Sequence, residues 1–267
     1  MTAVTPYPEL DGLLDEIVGR AREVLADGFV GAYLQGSFAL GDADLHSDCD
    51  FLVVHRDPLT PAQESEIRAL HDDIPTREGH WCHHLEGSWL PVEDVRTLDG
   101  LGRDWLFVNH GWRAMTWSTH CNTEVARWSL RERGVALAGP EPSTFVAPVP
   151  PKEMRAAMRT SVETLTDDIY AWAPEQVAWS HRYLVTNHCR VLYSLVTGEV
   201  ASKRAASLWA AEELDPRWRP LLHRVVEDRA RGFDPDDRPG PGQAEESRAF
   251  AAYARDWARA WREPPTA

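Results

Sequence analysis

Gln35-Gly36-Ser37-Phe38-Ala39-Leu40-Gly41, followed closely by His46-Ser47-Asp48-Cys49-Asp50-Phe51-Leu52-Val53-Val54, decides how this chain reads. Phe29 to Leu34 is apolar and runs into Gly36-Ser37, so the order is strand, glycine turn, short helix, loop, strand. Backbone amides at such a turn can cradle a phosphate, which makes Gly36 and Ser37 candidate phosphate contacts. The second strand begins at Asp48. Alternation along it puts Asp48 and Asp50 on one face and Cys49, Phe51 and Val53 on the other. Two carboxylates beside a phosphate-binding turn suit magnesium, which takes oxygen ligands and reaches proteins through one or two carboxylates plus substrate phosphates. An isolated Asp-x-Asp is most often a solvated turn; the glycine turn, the spacer and the apolar strand together are far more specific.

Upstream, Leu10, Leu13, Leu14, Ile17, Val18, Ala21, Val24 and Leu25 recur at helical spacing and predict an amphipathic helix over residues 9–26. Downstream, Thr60-Pro61-Ala62-Gln63 opens a second helix. Thr60 caps it, Pro61 suits its first turn and Gln63 completes a capping box, with Ile67, Leu70 and Ile74 facing the sheet. His80 to Leu90 then reads as a third strand, with Trp81, Leu85 and Trp89 on one face and His80, Cys82, His84, Glu86 and Ser88 on the other. The usual reading of that polar face is exposed sheet surface. Alternate residues on a strand do not match a zinc-ligand spacing, which argues against zinc. We place Glu86 beside Asp48 and Asp50, where a third carboxylate could ligate metal or take a proton from an attacking hydroxyl.

Trp105, Trp112, Trp117 and Trp128 punctuate a stretch read as helical and ending at Arg131-Glu132-Arg133-Gly134, with His110, His120 and Asn122 among them. Aromatic stripes of this kind are more often core than ligand platform. Val135-Ala136-Leu137-Ala138-Gly139-Pro140 reads as a short strand and turn. Pro148-Val149-Pro150-Pro151 marks the best boundary, giving a first domain over 1–147 and a helical bundle over 148–267. Helices are expected over 151–171 (Met154, Ala157, Met158, Leu165 and Ile169 inward) and over 175–196, the latter ending at Thr197-Gly198. Others start near Ser202 and after Pro216, and a last one, beyond Pro239-Gly240-Pro241-Gly242, carries Phe250, Tyr253, Ala254, Trp257 and Trp261. The fold class expected is α+β, a mixed sheet with flanking helices followed by the bundle. Arg190, Lys203 and Tyr253 are the bundle residues with a functional reading. Ordinarily such cations are solvated and such a tyrosine is core. Facing the N-terminal site, the cations would bind a triphosphate and the tyrosine would pack on a base.

The chain has 267 residues and a net charge of −14, with ordinary hydrophobic and charged fractions. An acidic balance argues against a nonspecific nucleic-acid binder and fits either a cationic small substrate or mere solubility. The four cysteines, Cys49, Cys82, Cys121 and Cys189, form no Cys-x-x-Cys pair. With no signal-like N-terminus and no apolar run of membrane-spanning length, a soluble cytoplasmic protein is expected.

Gly36-Ser37, a spacer of about ten residues, and Asp48-Cys49-Asp50 opening an apolar strand resemble the signature of the nucleotidyltransferase superfamily, whose members bind a nucleoside triphosphate with two metal ions. Over most of its length the chain further resembles the aminoglycoside adenylyltransferases that modify streptomycin and spectinomycin. Leu85-Glu86, Val135 to Pro140, Pro148-Val149-Pro150, Arg190 to Gly198, Ser202-Lys203 and Trp209-Ala210 carry that resemblance. It implies that Asp48 and Asp50 hold two magnesium ions, that Glu86 activates the acceptor hydroxyl, and that Gly36, Ser37, Ser47, Arg190, Lys203 and Tyr253 contact ATP. It implies transfer of AMP from ATP to an aminoglycoside or aminocyclitol, with release of pyrophosphate. Gln176 and Ser180, followed by His181 and Arg182, stand where streptomycin-modifying members carry acids, which leaves the acceptor open. A protein or RNA acceptor, or a nucleotide-binding protein without catalysis, are the alternatives. The expected partners are ATP and a cationic small molecule, with no nucleic acid and no membrane, and the expected state is a monomer.

Overall fold

The structure is a computed structural model and describes residues 3–263. The chain divides into two units between Val149 and Pro150.

The N-terminal unit is built on a mixed sheet. Its strands are β1 (Phe29–Leu34), β2 (Cys49–His55), β3 (Leu85–Pro91), β4 (Trp105–Val108), β5 (Thr116–Ser118) and β6 (Val135–Ala138), in the order β5-β4-β3-β2-β1-β6 among the described residues. Among the described residues only the β2–β3 pair is parallel; β1–β2, β1–β6, β3–β4 and β4–β5 are antiparallel. A parallel pair needs a crossover, and α3 (Pro61–Asp73) lies within it. The other helices of this unit are α1 (Pro8–Leu25), α2 (Gly36–Ala39), α4 (Glu93–Arg96) and α5 (Glu124–Arg133).

Alternation along the strands sorts their side chains into two cores. Leu34, Phe51, Val53, Leu85, Trp89, Leu106 and Val108 pack with the apolar stripe of α1 and with Ile67, Leu70 and Ile74. Tyr33, Leu52, Val54, Leu90, Trp105 and Phe107 pack on the opposite face with Cys121, Leu130 and Val146. Each helix has its local reasons. α1 carries Pro8 and two acids, Glu9 and Asp11, in its first turn and Arg22 in its last, matching the helix dipole. α3 has the expected reciprocal capping box between Thr60 and Gln63.

Two expectations fail here. Residues 80–84 do not extend the third strand: Trp81–His83 is a 3-10 turn and β3 starts at Leu85. His80 stacks on His84, with ring centroids 4.0 Å apart, and the His84 Nδ1–H donates to the His80 carbonyl (2.7 Å), so the local turn satisfies groups that a strand would direct outward. The stretch from Trp105 to Trp128 is not one helix. Trp105 and Trp117 sit in β4 and β5, and only Trp128 lies in a helix. Trp105-Leu106-Phe107-Val108 is a run of strand formers buried on both faces, a pattern that has no period of its own.

The C-terminal unit consists of α6 (Pro151–Tyr170), α7 (Ala178–Thr197), α8 (Lys203–Glu213), α9 (Arg219–Glu227) and α10 (Gln243–Ala260), with α7 packed against the other four. α7 ends at Gly198 (φ +75°). A Cβ there would lie 2.6 Å from the Cβ of Pro151, so glycine is required both by the left-handed turn and by the close approach. Ser202 caps α8 through the Ala205 amide, and Gly242 opens α10. Trp261 lies just past α10 rather than in it. Among the described residues no helix is long and apolar enough to cross a membrane.

Candidate active site

β2 and β3 are parallel and begin at the same edge of the sheet, and each carries a carboxylate at its second residue. Asp50 stands directly across from Glu86 in the register, with both Cys49↔Leu85 and Phe51↔Gly87 flanking the pair. Parity assigns Asp50 and Glu86 to the sheet face that carries Leu52, Val54 and Leu90. Asp48 lies in the loop one residue before β2. The sheet therefore brings together the three carboxylates that are separated by up to 38 positions in the chain.

The glycine turn packs against this edge. The Gln35 amide donates to the Asp50 carbonyl (2.9 Å). Gly36, with φ +58°, has its α-carbon beneath the Asp50 side chain: a Cβ would meet Oδ2 at 1.8 Å, Cγ at 2.6 Å and Cβ at 3.1 Å. Only a residue without a side chain leaves the Asp50 carboxylate where it is. Ser37 follows in α2. The loop to β2 is tied by Asp44, whose Oδ1 accepts from the His46 amide (2.8 Å) and from the Ser47 hydroxyl (3.2 Å). Ser47 is buried, and its oxygen also accepts from the Asp44 amide (3.0 Å), so it shapes the loop that presents Asp48.

Two histidines contact the carboxylates. His110 Nδ1 pairs with Asp48 Oδ1, and His120 Nε2 lies 3.1 Å from Glu86 Oε1. The hydrogen bond to its carboxylate is the main cause raising each imidazole above its usual range, against a lesser opposing effect of burial. His84 meets His110 edge to face, with centroids 4.7 Å apart, and burial lowers its own pKa. The sequence reading noted His110 and His120 but gave them no role. Both lie in loops flanking β4 and β5, strands that a helical reading of this stretch conceals.

Among the described residues no group of three or more His, Cys, Asp or Glu side chains is arranged to hold a metal. The donor chemistry of Asp48 and Asp50 still fits magnesium. Both offer hard carboxylate oxygens, both side chains are half-exposed, and this ion needs only one or two of them with phosphates and water completing its shell.

The remaining predicted residues lie in the C-terminal unit. Arg190 on α7 is half-buried, and its Nε donates to the Ala201 carbonyl (3.2 Å), which ties it to the loop leading into Lys203. The Lys203 ammonium sits over the Tyr183 ring at 4.7 Å. Tyr253 on α10 accepts the Asp215 amide at its hydroxyl (3.1 Å), with Arg217 over its ring at 5.2 Å and Trp218 beside it. Gln176 is exposed whereas Ser180 is fully buried. His181, also buried, donates from Nε2 to the Glu175 carbonyl (2.9 Å), leaving Nδ1 to accept from the Tyr170 hydroxyl (2.9 Å).

Residues 144–255 match the family described as aminoglycoside adenylyltransferase, C-terminal domain. An aminoglycoside (3'') (9) adenylyltransferase from Shigella flexneri is 27% identical, the alignment covering 92% of this chain and 94% of that protein. A spectinomycin 9-adenylyltransferase from Campylobacter jejuni is 21% identical over 80% of this chain and 83% of its own. Among solved structures, the spectinomycin adenyltransferase AAD(9) from Enterococcus faecialis, crystallised with ATP and spectinomycin, superposes with a TM-score of 0.66. That match covers 93% of this chain and 98% of the other at 17% identity, and it establishes a shared fold. The chain is thus similar along nearly its whole length to proteins named aminoglycoside adenylyltransferases, and its residues 144–255 match the C-terminal domain of that family.

Proposed function

We propose that this protein transfers AMP from ATP to a hydroxyl of an aminoglycoside or aminocyclitol antibiotic of the spectinomycin or streptomycin kind, releasing pyrophosphate. The observation that carries this reading is the pairing of Asp50 with Glu86 across β2 and β3, with Asp48 one residue before the strand and Gly36 beneath Asp50. The relatives named adenylyltransferases of aminoglycosides and of spectinomycin, and the related fold crystallised with ATP, support the co-substrate and the acceptor class.

In this reaction Glu86 takes the proton from the acceptor hydroxyl. The oxygen attacks the α-phosphorus, and the bond from that phosphorus to the pyrophosphate oxygen breaks in line. Asp48 and Asp50 would hold magnesium, which when bound neutralises charge on the phosphate oxygens. Gly36 keeps the Asp50 side chain in place, and Ser47 keeps the loop that presents Asp48. Ser37 is assigned to the triphosphate by its place beside the glycine turn. Arg190 and Lys203 are assigned to it, and Tyr253 to the base, by resemblance. Holding both reactants oriented supplies a large part of the rate, roughly 7–11 kcal/mol in well-oriented cases.

The test is pyrophosphate release from ATP and magnesium across a panel containing spectinomycin, streptomycin and other aminoglycosides. Release with one drug, abolished in Asp50→Ala, establishes the reaction and identifies the acceptor. ATP binding with no release for any member overturns the reading. In Glu86→Gln transfer should fall by about 10²–10⁴-fold while ATP affinity is retained; wild-type turnover in that variant excludes Glu86 as the base.

A further inference from the structure

Glu86 is a long, largely buried side chain at the second residue of the interior strand β3, and a proton acceptor works only if its oxygen is held where the hydroxyl arrives. Within the N-terminal unit, one described side chain bonds its carboxylate. His120 Nε2 lies 3.1 Å from Glu86 Oε1. A carboxylate accepts and an ionised one cannot donate, so the shared proton resides on Nε2 and the imidazole is the donor.

The loop that carries His120 is built to fix it. The His120 amide donates to the Ser118 hydroxyl (3.1 Å), which sets the turn out of β5. Its ring lies against Phe107 of β4, with centroids 4.9 Å apart and planes tilted by 33°. The next two residues are anchors: Cys121 is buried in the second core and Asn122 is 2% exposed. The Asn122 side-chain amide donates to the carbonyls of Gly100 (2.8 Å) and Arg103 (2.9 Å). Its oxygen accepts from Nε (2.9 Å) and Nη2 (2.8 Å) of the buried Arg127. The Asn122 backbone amide closes onto Thr119 (2.8 Å) and its carbonyl accepts from Gly102 (3.2 Å). A buried guanidinium and a fully engaged amide are costly to assemble, and here they hold a loop whose next outward side chain is His120.

We propose that His120 is the positioning residue for Glu86: it holds Oε1 by its Nε2–H and thereby presents the other carboxylate oxygen to the acceptor hydroxyl. This rests on the adenylyl-transfer reading above, with Glu86 as the base. The pair has little to do with folding. The His120 side chain is 59% exposed, and a pair of that exposure contributes about 1 kcal/mol or less to stability. Its effect falls on catalysis, where a misplacement of about 1 Å can cost on the order of 10²-fold. The charged groups facing His120 are Glu86 and Asp50, so a change of donor acts on the carboxylate edge itself.

The test uses the full chain and compares His120→Phe, which keeps a ring against Phe107 but removes the donor, with His120→Gln, which keeps a donor on a flexible side chain. With the drug that supports pyrophosphate release, His120→Phe should lower kcat about tenfold or more at unchanged KM for ATP and unchanged melting temperature, and His120→Gln should recover most of the loss. Glu86→Gln and the double variant with His120→Phe should be equally slow, because the histidine acts through the carboxylate. Wild-type kcat in His120→Phe overturns the proposal, as does a double variant slowed by the full factor of both single changes. Should no drug support release, the adenylyl-transfer reading fails on its own, and the pair is still decided by nitrogen NMR of the free protein. The His120 Nε2 resonance should move when Glu86 becomes glutamine; an unchanged resonance overturns the assignment.

Discussion

Replacing Gly36 by alanine tests the architecture of the carboxylate edge. The new methyl would stand 1.8 Å from Asp50 Oδ2, about 1.6 Å short of ordinary contact at 3.4 Å. Rotating the carboxylate cannot relieve this, because Cγ (2.6 Å) and Cβ (3.1 Å) of Asp50 are also too close. The whole side chain must swing, or the turn must retreat from β2. Either shift exceeds the roughly 1 Å misplacement that costs on the order of 10²-fold in an oriented reaction. Gly36→Ala should therefore lower kcat/KM for pyrophosphate release about 100-fold, some 2.7 kcal/mol of transition-state stabilisation. The left-handed backbone at φ +58° adds a stability cost of roughly 1–2 kcal/mol for any side chain. Gly41→Ala separates the two effects, since Gly41 has φ +73° but nothing within 4 Å of its added Cβ. It should lose similar stability in a thermal melt and retain full transfer. Gly36→Ala within threefold of wild type would refute the argument that this glycine exists to seat Asp50. Equal loss of transfer in both variants would refute it too, because backbone strain would then be the cause.

Asn122→Ala removes the oxygen that accepts two bonds from the buried Arg127 and should destabilise the protein by about 3 kcal/mol in urea unfolding; a loss under about 1 kcal/mol would deny the network its anchoring role. His71 is fully buried, its Nε2 accepting from the Trp89 indole (3.1 Å), and burial lowers its pKa from 6.5 to about 4. The unfolded chain therefore binds this proton first, so the contribution is complete above about pH 6.5 and is lost as pH falls toward 4. The drop in urea midpoint between pH 7 and pH 4.5 should be smaller in His71→Phe than in wild type, and equal drops would exclude His71 as a source. All four cysteines are buried and unbonded, and burial raises their thiols, that of Cys189 to about 12. A thiol reagent at pH 8 should label none in the native protein and all four in guanidinium; rapid native labelling of Cys49 or Cys121 would contradict the packing of the two cores on either face of the sheet.

Much of this molecule follows from sequence patterns because its rules are local. The Thr60–Gln63 capping box, the apolar stripe of α1, the Gly198 terminus and the strand opened by Cys49-Asp50 each depend on residues within a turn or two of one another. The same locality placed Asp50 and Glu86 each on the polar parity of its own strand. That these strands are parallel neighbours in the register Asp50↔Glu86 is a fact of pairing between segments more than thirty residues apart, and no local period encodes it. The stretch from Trp105 to Trp128 was misread for the related reason that β4, buried on both faces, carries no alternation, and that β5 is only three residues long. Short helix-like spacing of tryptophans there had no competing signal, and two strands were hidden by it. His110 and His120 acquire partners only once those strands exist, since their loops are brought to the carboxylates by the β3–β4–β5 pairings. Periodicity and side-chain chemistry were enough for the α+β class, for most of the helices and for naming the carboxylates as candidates. Tertiary structure decided which carboxylate stands beside which, what seats Asp50, and which histidines hold the edge, because contact across a sheet is set by register and by burial of distant segments against one another.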